Sequence, residues 1–265
     1  MHRRLIAALS IAMPIAADAQ EARELCPSRP GLGTPACIVD SGRVLAETGL
    51  ASFEREDDGE VRTDTLIAAD ALVRLGLDGD SEVQLGWTAF GRVRERDRIT
   101  GDMATQSGLG DISLAYKRSL ASPDGSGWSI AVQPFATLPV GGGAIGAGDW
   151  GAGLLVPVTG ELGGGVSFEL TPRIDAAVDA DRSGRHLAFG SVIGVELAVS
   201  DAVSLTLEAS ALRDDDPDGP RTEMLGAAAL AWQPGDDVQI DAGGAVGLNR
   251  HSPDFQLYLG VARRF

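Results

Sequence analysis

The chain has 265 residues, 44% of them apolar, and carries a formal net charge of −16. An acid excess of that size argues against nucleic acid as a partner, because phosphate binding draws on basic stripes. After the opening residues no stretch approaches 18 consecutive apolar residues, which excludes a membrane-spanning helix there.

The opening is itself a signal. "MHRR" is basic, "LIAALSIAMPIA" is apolar, and Ala17 and Ala19 place small residues at a cleavage position. Residues 1–19 therefore read as a secretory signal peptide. The alternative is an N-terminal anchor, but the apolar run is shorter than the ~20 residues a spanning helix needs. Residues 20–42 form a separate segment, periplasmic or plug-like, rich in Pro and Gly. It holds the only cysteines, Cys26 and Cys37. In an oxidising compartment these read as a disulfide closing a short loop. A metal site would need further ligands nearby, so no metal and no cofactor is expected.

From Arg43 to Phe265 the hydropathy alternates with period two. "SEVQLGWTAF" opposes Val83, Leu85 and Trp87 to Glu82, Gln84 and Thr88, and "GVSFELTPRID" opposes Phe168, Leu170 and Ile174 to Glu169, Thr171, Arg173 and Asp175. About twelve such segments fall near residues 43–53, 64–77, 81–92, 108–119, 127–139, 149–159, 164–177, 186–199, 202–212, 222–232, 237–248 and 254–265. Most exceed the ~9–11 residues of a tilted membrane-crossing strand. Short links such as "LDGDS" and "SDA" alternate with more charged ones such as "EREDDGEVR" and "RVRERDRITGDMATQ". Short periplasmic turns, longer outer loops and an even strand number describe an antiparallel transmembrane β-barrel.

The last strand, "FQLYLGVARRF", runs to the final residue. Phe255, Leu257, Leu259, Val261 and Phe265 form a lipid-facing row, and Gln256, Tyr258, Gly260, Ala262 and Arg264 face inward. The C-terminal pattern of Tyr258, Val261 and Phe265 resembles the assembly signal of bacterial outer-membrane barrels. Membrane lipids, lipopolysaccharide and the barrel assembly machinery are the partners this implies.

Several motifs could carry chemistry. "GAGDWG" at Gly146–Gly151 matches a dinucleotide fingerprint but precedes a strand, so it reads as a loop. Asp214, Asp216 and Asp218 have the spacing of half a calcium loop, with Leu225 where the closing acid belongs, so a solvated acidic loop is favoured. His186 and His251 sit near the outer rim, where a barrel hydrolase acting on lipid or peptide would place them, without a serine motif. The inward charges are Glu47, Asp70, Arg74, Glu82, Asp111, Lys117, Glu169, Arg173, Asp175, Glu196, Glu208, Glu223, Asp241 and Arg264. This excess of acids favours cations or neutral solutes, with Glu82, Glu169 and Glu208 expected as a mid-strand ring. Phe90, Phe135 and Tyr258 are the inward aromatics.

"LCPSRPGLGTPACIVDSGRVLAETGL", "GLGDISLAYKRSL" and "FATLPVG" together resemble the outer-membrane barrel family labelled as the meta-pathway of phenol degradation, also described as transporters. The matching features are Arg29 and Pro30, Gly42 and Arg43, the inward Glu47, and Gly108 to Asp111. The resemblance implies passive passage of small, aromatic or hydrophobic solutes. A rim enzyme and a non-conducting structural barrel are the alternatives.

Overall fold

The computed structural model describes residues 23–265, so the expected signal peptide lies outside the described residues. Fourteen antiparallel strands follow: β1 Val44–Asp57, β2 Val61–Gly76, β3 Ser81–Asp97, β4 Met103–Gly108, β5 Ile112–Ala121, β6 Trp128–Leu138, β7 Gly151–Leu155, β8 Val158–Gly163, β9 Val166–Val178, β10 Arg185–Ser200, β11 Val203–Asp214, β12 Arg221–Gly235, β13 Val238–Gly247 and β14 Phe255–Arg264. β14 pairs with β1, which closes the sheet and leaves no edge to face lipid. The wall has twelve strand positions, because β4 and β5 share the place beside β3, and β7 and β8 share the place between β6 and β9.

Each shared place adds a short strand where the sequence reads as a connection, β4 mostly in the loop before residue 108 and β8 mostly in the link after residue 159, and each pair is separated for a local reason. Pro157 follows β7 and has no N–H to give the ladder; its carbonyl accepts from Ala131 N–H, and Val156 N–H bonds to Pro172 O. Between β4 and β5 the chain leaves the sheet at Leu109–Asp111, and Gly110 N–H returns to Thr88 O. The outer hairpins are also longer than expected. "EREDDGEVR" and "RVRERDRITGDMATQ" read as loops, but most of their residues extend β1, β2, β3 and β4. Their charges had hidden a continuing ladder, since residues beyond the lipid need no apolar face.

Alternation holds along most strands, and the outward row is apolar: Val83, Leu85, Trp87, Leu207, Leu230, Trp232, Leu257 and Leu259 are all exposed. It fails once. β1 bulges against β14 between Gly49 and Ala51, and Ala69 opposite takes φ 55° in the left-handed region. Residues paired across antiparallel strands share a face. Phe90 pairs with Ala68, Ala68 with Ala51, and Ala51 with the lipid-facing Leu259. Phe90 therefore faces lipid, correcting the inward reading; an extra residue exchanges every later face of a strand.

The barrel's two ends follow the alternation of links. The start of β1, the C-terminus and the turns after β2, β5, β8, β10 and β12 define the periplasmic end. There Phe265 is 58% exposed, and its backbone exchanges both hydrogen bonds with Val44. Val261 pairs with the lipid-facing Ile240, whereas Tyr258 turns inward toward Gly243. Arg264 is no neutral control for the terminal aromatic: it ion-pairs with Asp40 and Asp237 and donates to Arg23 O. Arg263, stacked over the Phe265 ring, is the appropriate one. Phe265→Asp is expected to reduce the folded, heat-modifiable fraction in outer membranes several-fold, and Arg263→Gln to leave it nearly unchanged. Equal losses would refute a specific role for the terminal ring.

Candidate functional site

The lumen is occupied by the chain itself. Residues 23–40 run through the barrel interior, held by inward side chains of eight strands. Pro27, Pro30, Gly31, Gly33 and Pro35 keep this segment from satisfying its own backbone groups in a helix or a strand. The wall must satisfy them instead, and it does so with charge.

Three carboxylates accept the segment's N–H groups. Glu47 on β1 accepts from Ser28 and Arg29 at 2.9 and 3.1 Å. Glu208 on β11 accepts from Leu32 and Gly33 at 2.7 and 2.8 Å. Glu82 on β3 accepts from Val39 at 2.8 Å. Cations bind its carbonyls: Arg74 on β2 reaches Cys26 O at 2.7 Å and Cys37 O at 3.3 Å, and Lys117 on β5 reaches Pro35 O at 2.9 Å. Thr171 on β9 exchanges two hydrogen bonds with Thr34, and Gln239 on β13 donates to Arg29 O.

Arg29 carries one of the segment's own charges to the wall. Its guanidinium meets Asp241 on β13 through two N–H groups, at 3.0 and 3.3 Å, a bidentate form stronger than a single bond. Gly260 leaves the room: a Cβ there would overlap the guanidinium. Gly76 likewise lets the backbone of Val39 and Asp40 lie against β2.

Under the segment, Arg74, Glu82 and Lys117 are fully buried and Glu47 almost so. Arg74 lies 2.8 Å from Glu82 and 3.3 Å from Glu47, and Lys117 lies 3.6 Å from Glu82. Gln84 bridges Glu82 to Gln133. Each charge has a partner of opposite sign, which such burial demands. Cys26 and Cys37 are joined as a disulfide. Arg74 grips a carbonyl at each end of that loop, so the wall holds the loop independently of the bridge. Replacing both cysteines by Ser leaves those backbone bonds in place. It is therefore expected to leave a heat-modifiable barrel whose conductance stays within about twofold of the parent's, because hydrogen bonds of ~1 kcal/mol each continue to hold the loop. Loss of folding, or a large rise in current, would show that the bridge itself holds the segment.

The remaining inward charges are placed differently. Glu169 lies beside Glu208 near Gly33 and Gly194, and its Oε1 is buried without a hydrogen-bond partner among the described residues. Glu196 is exposed and accepts from Thr206. Arg173 pairs with Asp175 at 2.7 Å, and Asp70 accepts from Thr88. Glu223 is half-buried on β12. Asp111 is not a lumen charge standing free: its two oxygens accept from Gly141 and Ala147 N–H, tying down the loop of residues 139–150. That loop, which contains the "GAGDWG" stretch, lays Ile145 against Gly91 and Gly110. On the periplasmic side a cavity of about 880 Å3 opens beside the segment, bordered by Arg29, Pro35, Glu169, Glu196 and Gln239.

At the outer rim His186 Nδ1 lies 2.9 Å from Asp179 Oδ1 and 3.4 Å from Asp216 Oδ2, with Asp214 Oδ1 2.5 Å from Nε2. The N–H groups of Asp218 and Ala180 hold the Asp216 carboxyl below the usual carboxylate range. Asp179, His186 and Asp216 could together offer three ligand atoms to a metal, but their present contacts tie two loops together. No serine hydroxyl among the described residues bonds either histidine; His251 meets Arg250 and its own loop. Asp218 contributes its backbone N–H to this loop, and the acidic run forms a turn.

A closed antiparallel barrel of twelve strand positions with an apolar outer row and a polar, charged interior is an outer-membrane β-barrel. The chain belongs to the family described as "Putative MetA-pathway of phenol degradation", whose profile matches residues 27–265. It is similar to the COG4313 outer-membrane channel from Pseudomonas putida F1, at 14% identity and a TM-score of 0.70, over 89% of this chain and 99% of that one. It is also similar to the NanC porin, at 9% identity and TM-score 0.52, over 83% and 98%. A third likeness is to the transport unit of the autotransporter AIDA-I from Escherichia coli, at 10% and 0.52, over 84% and 89%. No curated protein matches the sequence. Of the residues that carried the resemblance, Arg29 and Glu47 meet in the segment's seat, where Arg29 binds Asp241 and Glu47 accepts from Ser28 and Arg29, whereas Asp111 anchors the outer loop.

The sequence reading left Arg29, Thr171, Gln84, Gln133 and Gln239 out of the site. All but Arg29 lie at inward positions of alternating strands, so parity was their signal; attention to charged residues alone passed over them.

Proposed function

We propose that this chain is a passive outer-membrane channel for small neutral or cationic solutes, shut in the present conformation by its own N-terminal segment. The observation that carries this reading is the chemistry of the seat. The segment is held chiefly by N–H to carboxylate bonds and ion pairs. Its buried apolar side chains are Leu25, Ala36, Cys37, Ile38 and Val39; Leu25 and Val39 cluster with Leu45 and Ala262, and the partly buried Leu32 packs against Leu225, Ala227 and Ala245. Water can replace polar contacts of this kind, whereas a close-packed apolar plug would be a permanent core. Twelve strands enclose an interior between the filled barrel of eight and the open pore of sixteen.

Excess acid in the interior favours cations over anions. Glu82 and Glu208 do not act as a free ring while the segment is seated, because its N–H groups occupy them. Aromatic or hydrophobic cargo is supported by the family description, with Phe135 and Tyr258 as inward aromatics. A plugged lumen also favours a second reading, a non-conducting structural barrel, and one measurement separates the two. In planar bilayers under a KCl gradient the protein is expected to show intermittent current steps with a reversal potential on the potassium side. A chloride preference would overturn the ion selectivity, and silence under all voltages, with or without the segment, would leave the structural barrel.

A further inference from the structure

We propose that the outward face of the β1–β4 hairpins at the outer rim is a docking surface for the phosphate groups of lipid A, with Arg92, Arg94 and Arg96 as the phosphate-binding residues. Because a bulge exchanges faces above Gly49, the sequence "RVRER" presents its arginines to the lipid side. Arg92 pairs with Leu66, which pairs with Phe53, which pairs with the lipid-facing Leu257. Arg94 shares its row with Asp64 and Arg55, and Arg96 shares its row with Arg62 and Asp57. Arg55 lies over the rings of Phe53 and Phe255, consistent with one continuous outer face.

The carboxylates on this face are already engaged. Asp64 binds Arg55 and Arg62, and Asp57 binds Arg98. Arg92, Arg94 and Arg96 are exposed; the ion pairs on this face among the described residues belong to Arg55, Arg62 and Arg98, and Arg94 donates only to Met103 Sδ. A chain with a formal charge of −16 thus concentrates uncompensated positive charge at one place. Next to it on β4, Ser107 pairs with Arg92 and Thr105 with Arg94, and both are exposed. Planar guanidinium forks beside hydroxyl donors suit a phosphate better than a point charge would.

Height fixes which phosphate. Outward residues of β3 run Val83, Leu85, Trp87 and Phe90 before the arginines begin. From Val83 to Arg92 the strand advances about 30 Å, which at the usual tilt is close to the ~25 Å of the apolar band. Arg92 therefore stands at the boundary between acyl chains and headgroups, with Arg94 and Arg96 above it. In the outer leaflet that level is held by the phosphorylated sugars of lipid A.

The test is retention of lipid by the barrel in phosphatidylcholine nanodiscs supplied with bisphosphorylated or dephosphorylated lipid A, read by native mass spectrometry. The wild type is expected to retain the phosphorylated form over the dephosphorylated one by about tenfold or more. The R92Q/R94Q/R96Q variant should lose that preference, while R213Q/R221Q/R250Q, with the same change in net charge elsewhere on the rim, should keep it. Equal retention by both variants, or no preference in the wild type, would overturn the proposal. So would full displacement by millimolar inorganic phosphate, which would make free phosphate the ligand. Heat-modifiable migration verifies folding; if the triple variant misfolds, the three single Arg→Gln variants are each expected to show partial loss.

Discussion

Deleting residues 24–40 from the exported chain is expected to convert intermittent current into a continuous one several times larger. The deletion removes Arg29 and every N–H group that Glu47, Glu82 and Glu208 now receive from the segment. Arg74, Lys117 and the two glutamates beside them keep one another, while Asp241 loses Arg29 and Arg264 keeps Asp237 after losing Asp40. Glu208 and Asp241 become solvated in a water-filled bore. The acids then act on passing ions directly, and preference for potassium over chloride should sharpen as the current rises. Single-channel recording of both chains checks this. An unchanged current would show that the bore is closed by something other than residues 24–40, the outer loop held by Asp111 being the next structure to remove.

Arg74→Leu is expected to be the most damaging single change to the wall. Its guanidinium, wholly buried, serves Glu82, Glu47 and the carbonyls of Cys26 and Cys37. Without it the two glutamates face Lys117 alone, and a broken buried pair costs about 3–5 kcal/mol because the remaining charge has no compensation. A marked fall in the denaturant midpoint for loss of heat-modifiable migration is the readout. Arg74→Leu/Glu82→Leu removes opposite charges together and should lie closer to the parent than Arg74→Leu does. A double variant with additive losses would mean that the two side chains act independently, against the geometry seen here.

How much was legible in the sequence depended on which force acted. The apolar row of Val83, Leu85, Trp87, Leu207, Leu257 and Leu259 was readable because lipid selects every second side chain, a rule one residue long. The strand places were readable for the same reason. The closure of β14 on β1 was implied by the terminal Phe265, since a strand ending in lipid has to pair. Inward charges such as Glu47, Glu208 and Asp241 were identifiable by parity, but not their partners.

Those partners were decided by tertiary structure. Arg29 and Asp241 are 212 positions apart, and Leu32 and Glu208 are 176 apart; no local pattern links them. A Pro- and Gly-rich segment can hang in water or cross the bore with equal local propriety, and only a wall carrying acceptors and donors at the right heights selects the second. The exchange of faces above Gly49 is likewise invisible locally, because a bulge exists only relative to the strand beside it. It sends Phe90 and Arg92, Arg94 and Arg96 to the lipid side, where a strict alternation from Val83 would have turned them inward. The sequence by itself determined a closed β-barrel, since solvent and lipid sort residues one at a time. What fills the barrel, and which way its outer rim faces, required the whole chain, because those depend on pairs that meet only after the barrel has closed.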